Sequence, residues 1–149
     1  MEVGVQKIRA FMIRIKDITY DWLAYNDRFL ELEEVFDDEA WDEHLMFKEL
    51  SQSRIMGAFF QKRMIGYIAS KMEDMEYIWT FAIDREYQGY GIGKKIMTKF
   101  LKKNKPYRLN VRTDNLPAIV LYLSLGFVEV GTEQNYYQDG CASFIMERV

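Results

Sequence analysis

The chain has one cysteine, one histidine and two prolines in 149 residues, and these scarcities exclude several kinds of protein. The single cysteine, Cys141, excludes an internal disulfide and a zinc site built from cysteines, and it is typical of a reducing compartment. The only histidine, His44, lies among acidic residues, which favours an exposed helix position over a place in a serine or cysteine triad. We therefore expect neither a metal cofactor nor a histidine-activated nucleophile.

The chain also lacks a basic excess and a long apolar run. Its formal charge of −3 and pI near 5.3 argue against a nucleic-acid partner held by general electrostatics. No apolar run approaches the roughly 20 residues of a membrane span, and the first four residues lack the features of a signal peptide. We expect a cytoplasmic protein with neither a nucleic-acid nor a membrane partner.

Apolar residues make up 49% of the chain, and their spacing predicts one mixed α/β domain over residues 1–149. Period-2 and β-branched stretches indicate about seven strands, and helical spacing indicates about four helices. The order of strand, two helices, three strands, helix, strand, helix and two strands places all of them around one sheet. The predicted strands are residues 7–15, 54–60, 64–71, 76–83, 107–112, 127–131 and 142–148; the predicted helices are 20–30, 38–50, 92–103 and 116–125.

The most distinctive stretch runs from the end of the fourth strand through three glycines into a helical pattern. Glycines at 89, 91 and 93 let successive backbone N–H groups point the same way, and the first helical turn adds unpaired N–H groups. Such a turn suits a phosphate. A tightly packed strand-to-helix turn is the alternative interpretation.

Two common phosphate loops do not fit this stretch. A Walker loop needs a glycine where Gln88 stands and a serine or threonine where Lys95 stands. A dinucleotide fingerprint counted from Gly89 needs a third glycine at Lys94. What remains is the pattern Q-x-x-G-x-G at Gln88, Gly91 and Gly93.

A second strand-to-helix turn carries N-x-x-A-x-x-x-Y-x-x-x-G-F, from Asn115 through Ala118 and Tyr122 to Gly126 and Phe127. The two motifs in this order resemble the GNAT superfamily of acetyl-CoA-dependent N-acetyltransferases. Residue-level similarity is confined to 81–93 and 115–127, while the element order is similar over nearly the whole chain. The resemblance implies a mostly antiparallel sheet with one splayed parallel strand pair. It also implies direct acetyl transfer from acetyl-CoA to a primary amine in a ternary complex, without metal.

The same resemblance implies how acetyl-CoA would be bound. Backbone N–H groups of the glycine turn would bind the pyrophosphate, and the pantetheine arm would pair with backbone at Phe81 and Ile83. A backbone N–H near Phe81 or Ala82 would polarise the acetyl carbonyl. The implied coenzyme-binding residues are Phe81, Ala82, Ile83, Gln88, Gly89, Tyr90, Gly91, Ile92, Gly93, Lys94, Asn115 and Tyr122.

The resemblance suggests Tyr122 and Glu76 as catalytic candidates and gives Asn115 a binding role. Tyr122 would protonate the departing thiolate, and a buried core aromatic is the alternative. Asn115 would bind the coenzyme arm, cap its helix, or do both. The glutamate that histone-modifying relatives use as a base falls here on Tyr77. The adjacent Glu76 is therefore the candidate base, although alternation points it to the opposite face and an exposed strand-end charge is the alternative.

The acceptor site is predicted from charge and from the resemblance. The strongest charge feature is an acidic block of Glu31, Glu33, Glu34, Asp37, Asp38, Glu39, Asp42 and Glu43. It is either a solvated helical surface or an attraction for a cationic substrate. In the family the acceptor binds between the first two helices and the last hairpin, which adds Tyr136, Tyr137 and Asp139.

We expect as acceptor a polyamine or another small cationic amine, attracted by charge and cation–π contact. The alternatives are a protein N-terminus or lysine, a non-catalytic acetyl-CoA-binding module, and a structural protein without coenzyme. The exposed terminal hairpin is compatible with a homodimer.

Overall fold

The computed structural model describes residues 10–34 and 42–149. Its strands are β1 Ile13–Asp17, β2 Arg54–Phe60, β3 Arg63–Met72, β4 Glu76–Ile83, β5 Tyr107–Arg112, β6 Val128–Glu133 and β7 Ser143–Arg148. Its α-helices are α1 Asn26–Glu33, α2 Glu43–Ser51, α3 Ile92–Phe100 and α4 Leu116–Ser124. Short 3₁₀ turns span Ala10–Met12, Trp22–Tyr25 and Arg85–Tyr87.

The seven strands form one sheet in the order β1-β2-β3-β4-β5-β7-β6. Every neighbouring pair is antiparallel except β4 and β5, which are parallel and joined through α3. A tight turn reverses the direction of the chain and so joins antiparallel strands, whereas parallel neighbours need a longer crossover connection. The predicted fold class, a mostly antiparallel sheet with one parallel pair, is confirmed.

Several predicted ends differ from the observed ones. The first strand, predicted over 7–15, begins at Ile13 and continues to Asp17, because its pairing with β2 sets its limits; the residues before 10 lie outside the described chain. The first helix begins as a 3₁₀ turn and becomes α-helical at Asn26. Residues 38–41 of the second helix, predicted over 38–50, lie outside the described chain. Its described part is capped by Asp42, whose side chain accepts from the Leu45 N–H.

The third helix also ends earlier than predicted, at Phe100 instead of near residue 103. Leu101 is extended, and the backbone N–H of Lys102 donates to the Tyr107 hydroxyl at 2.8 Å. That side chain comes from β5, so the helix ends at a contact that helical periodicity does not reveal.

Apolar side chains pack on both faces of the sheet. One cluster lies beneath α3 and includes Ile92, Ile96 and Phe100. The other lies beneath α1 and α2 and includes Phe29 and Met46. Each of these side chains is at most 1% exposed, and burying one such side chain contributes about 1.5–3 kcal/mol. The two layers hold the sheet between them and leave its parallel strand pair to form the site.

The parallel pair separates partway along its length. Only Glu76 to Ile78 of β4 pair with β5, although β4 continues to Ile83. On the other side of β4 the register with β3 shifts so that Trp79 is an extra residue, which is a β-bulge. Beyond Ile78 the strands diverge, and a cleft opens between them. The resemblance implied this splay, and the register shows where it begins.

Within residues 10–34 and 42–149, no helix has the length and apolar character needed to cross a bilayer.

Candidate active site

A cavity of about 450 Å³ fills the cleft between β4 and β5. Its volume lies within the range of small-molecule sites. Its walls come from β4, the glycine turn, the start of α3, β5 and α4, with one residue from α1 and one from the β6–β7 loop. Lining residues include Glu33, Trp79, Thr80, Phe81, Ile83, Gln88, Gly89, Gly91, Ile92, Gly93, Lys94, Asn110, Arg112, Asn115, Tyr122 and Tyr137.

The glycine turn is built at one end of this cavity. Gly89 and Gly91 have φ values of 85° and 78°, a left-handed conformation that disfavours a side chain. Gly91 is the N-cap of α3, and its carbonyl accepts from the N–H of Lys95. The N–H groups of the intervening three residues have no acceptor within the helix. They lie beside the cavity, where the positive end of the helix dipole favours an anion.

Gly93 serves a different physical need. A Cβ at this position would lie 3.2 Å from the Phe81 ring, 3.3 Å from Ile83 and 3.4 Å from Leu121. Glycine here lets α3 pack closely against β4 and α4. The two interpretations of the turn therefore apply to different glycines: left-handed backbone at 89 and 91, and close packing at 93.

The edge of β4 beyond the bulge faces the cleft with backbone groups. The N–H of Asp84 donates to Ile65 on β3 at 2.8 Å, so alternation directs the backbone groups of Phe81 and Ile83 towards the cleft. The Ile83 carbonyl already accepts from the Gln88 side chain at 2.9 Å. This hydrogen bond links the strand to the glycine turn.

Ten of the twelve residues implied for the coenzyme line the cavity. The exceptions are Ala82 and Tyr90. Ala82 is 1% exposed, and its side chain packs in the cluster under α1 and α2, because alternation turns it away from the cleft. Tyr90 is 42% exposed. The binding roles of all twelve remain predictions.

Tyr122 lines the cavity from α4 and is 8% exposed. Its ring packs against Phe127 at 5.8 Å between centroids, and its hydroxyl makes no hydrogen bond with the described residues. Burial, with a smaller contribution from nearby Tyr137, raises the pKa of the Tyr122 phenol, so it stays protonated at neutral pH. A protonated phenol facing a cavity can donate a proton there.

Asn115 lies in the predicted turn before α4, where it both caps the helix and lines the cavity. Its side-chain oxygen accepts from the Ala118 N–H at 3.3 Å, which is a helix cap. The same residue lines the cavity. Capping leaves the amide nitrogen of Asn115 able to donate to a bound molecule.

Strand alternation predicted that Glu76 points away from the cleft, and Glu76 does not line the cavity. Its side chain is 4% exposed, so the expectation of an exposed strand-end charge is wrong. It accepts from Arg54 at 2.8 Å, Ser70 at 2.7 Å and Lys105 at 2.6 Å, and it does not line the cavity. Burial raises the pKa of this carboxyl, but the three donors outweigh burial and hold it below its ordinary value. These contacts suit a structural ion pair better than a base.

The far end of the cavity brings together side chains that are distant in sequence. Glu33, the last residue of α1, is 4% exposed and accepts from the hydroxyls of Thr80 and Tyr67. The Tyr77 hydroxyl donates to Asn110 at 2.7 Å. Neither Glu33 nor Asn110 was singled out individually from the sequence; the only signal was that Glu33 belongs to the acidic block.

The β6–β7 loop covers this end and carries the three residues expected there. Tyr137 lines the cavity, and Tyr136 packs edge-to-face against it with the ring centroids 4.9 Å apart. Asp139 accepts from Arg112 at 2.7 Å, and this hydrogen bond holds the pKa of the Asp139 carboxyl below its ordinary value. The Arg112 guanidinium also lies 5.1 Å from the Tyr137 ring. Arg112 thereby anchors the loop beside the cavity.

The described members of the acidic block have different surroundings. Among its described members only Glu33 lines the cavity. Glu31 pairs with Arg28, Asp42 caps α2, and Glu34 is exposed. Asp37, Asp38 and Glu39 lie outside the described chain. Within residues 10–34 and 42–149, no group of three or more histidine, cysteine or carboxylate side chains is arranged to hold a metal ion.

Known proteins resemble the chain along most of its length. A family model described as an acetyltransferase (GNAT) domain matches residues 17–149. N-alpha-acetyltransferase RimI of Mycobacterium tuberculosis is 31% identical over 129 residues, which are 80% of this chain and 82% of that protein. The [ribosomal protein bS18]-alanine N-acetyltransferase of Escherichia coli strain K12 is 30% identical over 110 residues, 70% of this chain and 69% of that protein. The crystal structure of Ard1 from Thermoplasma volcanium has the same fold, with a TM-score of 0.79 at 24% identity over 92% of this chain and 97% of that one.

Proposed function

The chain belongs to the GNAT family of acetyltransferases and is an acetyl-CoA-dependent N-acetyltransferase; from this membership we propose that its acceptor is the α-amino group of a peptide or protein N-terminus. The observation that carries this proposal is that both curated relatives, at 30% identity or more over most of their length, bear names of N-terminal or alanine N-acetyltransferases.

The residues of the cleft fit the co-substrate. Its apolar walls suit a pantetheine arm, and the unpaired N–H groups of Ile92, Gly93 and Lys94 suit its pyrophosphate. Charge-assisted hydrogen bonds of this kind contribute about 1.5–3 kcal/mol each. The cleft edge of β4 offers backbone groups of Phe81 and Ile83 for pairing with an extended ligand. Acetyl-CoA supplies the thioester whose carbonyl carbon the amine attacks.

Residues of the chain placed beside the thioester would stabilise charge on it and donate a proton to it. A backbone N–H at Phe81 would stabilise negative charge that develops on the carbonyl oxygen. Tyr122 would give its phenolic proton to the departing sulfur. The raised pKa of Tyr122 means that the phenol is protonated at neutral pH before the transfer.

The polyamine acceptor expected from the acidic block receives less support. A polycation gains most from several carboxylates lining one cavity, and only Glu33 of the described block lies there. A single buried carboxylate matches a single ammonium group, as at a peptide N-terminus. Three aromatic side chains at the same end, Tyr77, Tyr136 and Tyr137, offer contact area to the residues that follow the amino group.

The test is acceptor-dependent release of coenzyme A thiol, with products identified by mass spectrometry. One set of peptides has free N-termini of varied first residue and no lysine; a matched set is blocked at the N-terminus and carries one lysine. Spermidine and other polyamines form the third set. We expect turnover of the first set, with the added acetyl group on the terminal residue. Selective turnover of polyamines would contradict the proposal.

Two further expectations belong to this proposal. A cytoplasmic location would place the enzyme with nascent chains and acetyl-CoA. A homodimer would form through β6, which is an edge strand whose Val128 and Val130 are 55% and 53% exposed. Light scattering of the purified chain checks the mass, and a Val130→Lys variant is expected to shift it to that of a monomer.

A further inference from the structure

The cavity passes through the gap between β4 and β5 from one face of the sheet to the other. The N–H groups that suit phosphate belong to α3, whose apolar side packs in one core cluster. The other end of the cavity is lined by Glu33 of α1, a helix that packs in the other cluster. A coenzyme bound by its phosphates at α3 would place its acyl group between the two faces. The acceptor would then occupy the end of the cavity on the α1 and α2 side.

Trp79 lines this acceptor end because of the β-bulge in β4. Ile78 packs in the cluster beneath α3, and regular alternation would return residue 80 to that same face. The extra residue shifts the alternation, so Trp79 packs in the cluster beneath α1 and α2. Thr80 lies on the same face, where it donates to Glu33. The bulge thereby directs two consecutive side chains to the acceptor end.

Hydrogen bonds fix the Trp79 indole in this position. Its Nε1–H donates to Ser53 Oγ at 2.8 Å. The Ser53 hydroxyl is held in turn, because it donates to the Glu49 carbonyl of α2 at 2.7 Å and Ser53 is only 5% exposed. Rotation of the indole would break a buried hydrogen bond, which disfavours any other position. Trp79 therefore forms a rigid wall.

A rigid indole at this end takes up space beside the acceptor. The cavity of about 450 Å³ lies in the lower half of the range for small-molecule sites, and it must hold the acyl end of the coenzyme together with the acceptor nitrogen. Tyr137 also lines this end, but it belongs to a loop, whereas Trp79 belongs to a strand paired within the sheet. Of these two aromatic walls, the indole is the one that the sheet holds against a larger first residue.

We infer that Trp79 restricts the acceptor to N-termini whose first residue has a small side chain, such as alanine or serine, an inference that rests on the N-terminal acetyltransferase function proposed above. A longer side chain would collide with the indole or push the terminal nitrogen away from the thioester. A displacement of about 1 Å is enough to slow such a reaction about 100-fold. Trp79 thus determines specificity and takes no part in the chemical step.

The experiment measures kcat/KM on peptides that differ only in their first residue, which is alanine, serine, valine, leucine or methionine. We expect the wild type to favour alanine over leucine and methionine at least about 10-fold, since a single methylene already has an effect of this size in an apolar pocket. In Trp79→Ala the space left by the indole accepts the longer side chains, so this preference is expected to fall at least about 10-fold. A wild type that favours leucine or methionine would overturn the inference, as would a preference in Trp79→Ala within twofold of the wild-type value.

The ratio of two peptides separates specificity from folding, because a destabilised enzyme loses activity on both equally. Trp22→Ala is the matched control. Trp22 is half-buried and packs against Phe29 and Phe47 in the same cluster as Trp79, but it does not line the cavity. Its replacement is expected to lower stability and to leave the alanine-to-methionine ratio within twofold of the wild type. An equal change of this ratio in both variants would refute the inference.

A second substitution covers the case in which Trp79→Ala does not fold. Trp79→Phe keeps an aromatic ring in the cluster but is smaller than the indole. It is expected to bind acetyl-CoA as the wild type does and to show a weaker preference for alanine; a preference equal to that of the wild type would contradict the inference. Absence of turnover of every peptide by the wild type would instead reject the proposed function itself, so the two failures are distinguishable.

Discussion

Replacement of Gly91 by alanine tests the glycine turn as the anion site. Gly91 has a φ of 78°, and a Cβ there would have no other atom within 4 Å. The substitution therefore introduces backbone strain without a clash. An L-residue in this left-handed conformation costs about 1–2 kcal/mol. Because no atom confines the new methyl group, we expect the glycine turn to relieve the strain by moving when acetyl-CoA is not bound.

Relaxation of the turn would misalign the N–H groups of residues 92–94, and binding would have to restore them. If the whole cost is added to binding, the Kd for acetyl-CoA rises about 5- to 30-fold, since 1.4 kcal/mol corresponds to a tenfold change. Isothermal titration calorimetry of the free enzyme with acetyl-CoA measures this directly, without an acceptor.

Gly126→Ala is the matched control. Gly126 has a φ of 93° at the end of α4, and a Cβ there would meet only the Arg148 side chain, at an ordinary contact distance of 3.6 Å. It carries the same backbone cost and lies outside the residues that line the cavity. We expect its Kd to stay within twofold of the wild type. If Gly91→Ala also stays within twofold, the glycine turn does not hold the coenzyme phosphates.

Three further predictions concern the acid, the buried ion pair and its pH dependence. Tyr122→Phe is expected to lower kcat about 10²- to 10⁴-fold with little change in acetyl-CoA affinity, whereas Tyr20→Phe, at a residue 97% exposed, should change neither; thiol release and calorimetry check this, and a kcat within threefold would reject Tyr122 as the acid. Arg54→Met is expected to lower the free energy of unfolding by about 3–5 kcal/mol in urea denaturation, because it leaves the buried Glu76 carboxylate without its guanidinium; a loss below 1 kcal/mol would show that Lys105 and Ser70 suffice. Because the pKa of Glu76 is lowered on folding, the unfolded chain binds the proton more readily, so this stabilisation is present above the ordinary pKa of 4.5 and is lost as pH falls below it. Thermal melting at pH 7 and pH 3 measures that loss, and Glu76→Gln should show a smaller difference between the two pH values than the wild type.

Much of the fold could be predicted from the sequence because it depends on local periodicity. Alternating and helical apolar patterns identified the seven strands and the four helices in their correct order. Element ends were less predictable. The first strand ends where β2 ceases to pair with it, and α3 ends where Tyr107 from another strand accepts the next N–H. Both limits are contacts between distant segments.

In the candidate site, too, features set by neighbouring residues could be predicted and features set by distant segments could not. The glycine turn is local, because left-handed φ values and unpaired first-turn N–H groups belong to a few consecutive residues, and its motif was visible in the sequence. The side-chain environment of Glu76 was not visible, because its burial depends on Arg54 and Lys105. Strand alternation correctly predicted that the Glu76 side chain points away from the cleft. Alternation does not reveal which side chains surround it on the opposite face of the sheet.

The sequence by itself determined the order of the elements and the position of the phosphate-type turn, since both follow from the conformational preferences of neighbouring residues. Only the tertiary structure decided where β4 separates from β5 and which carboxylate reaches the cleft. Glu33 and Thr80 are 47 residues apart in sequence, and their hydrogen bond exists because α1 packs on the sheet at that point. Such a juxtaposition depends on long-range packing of apolar surfaces, which no local pattern records.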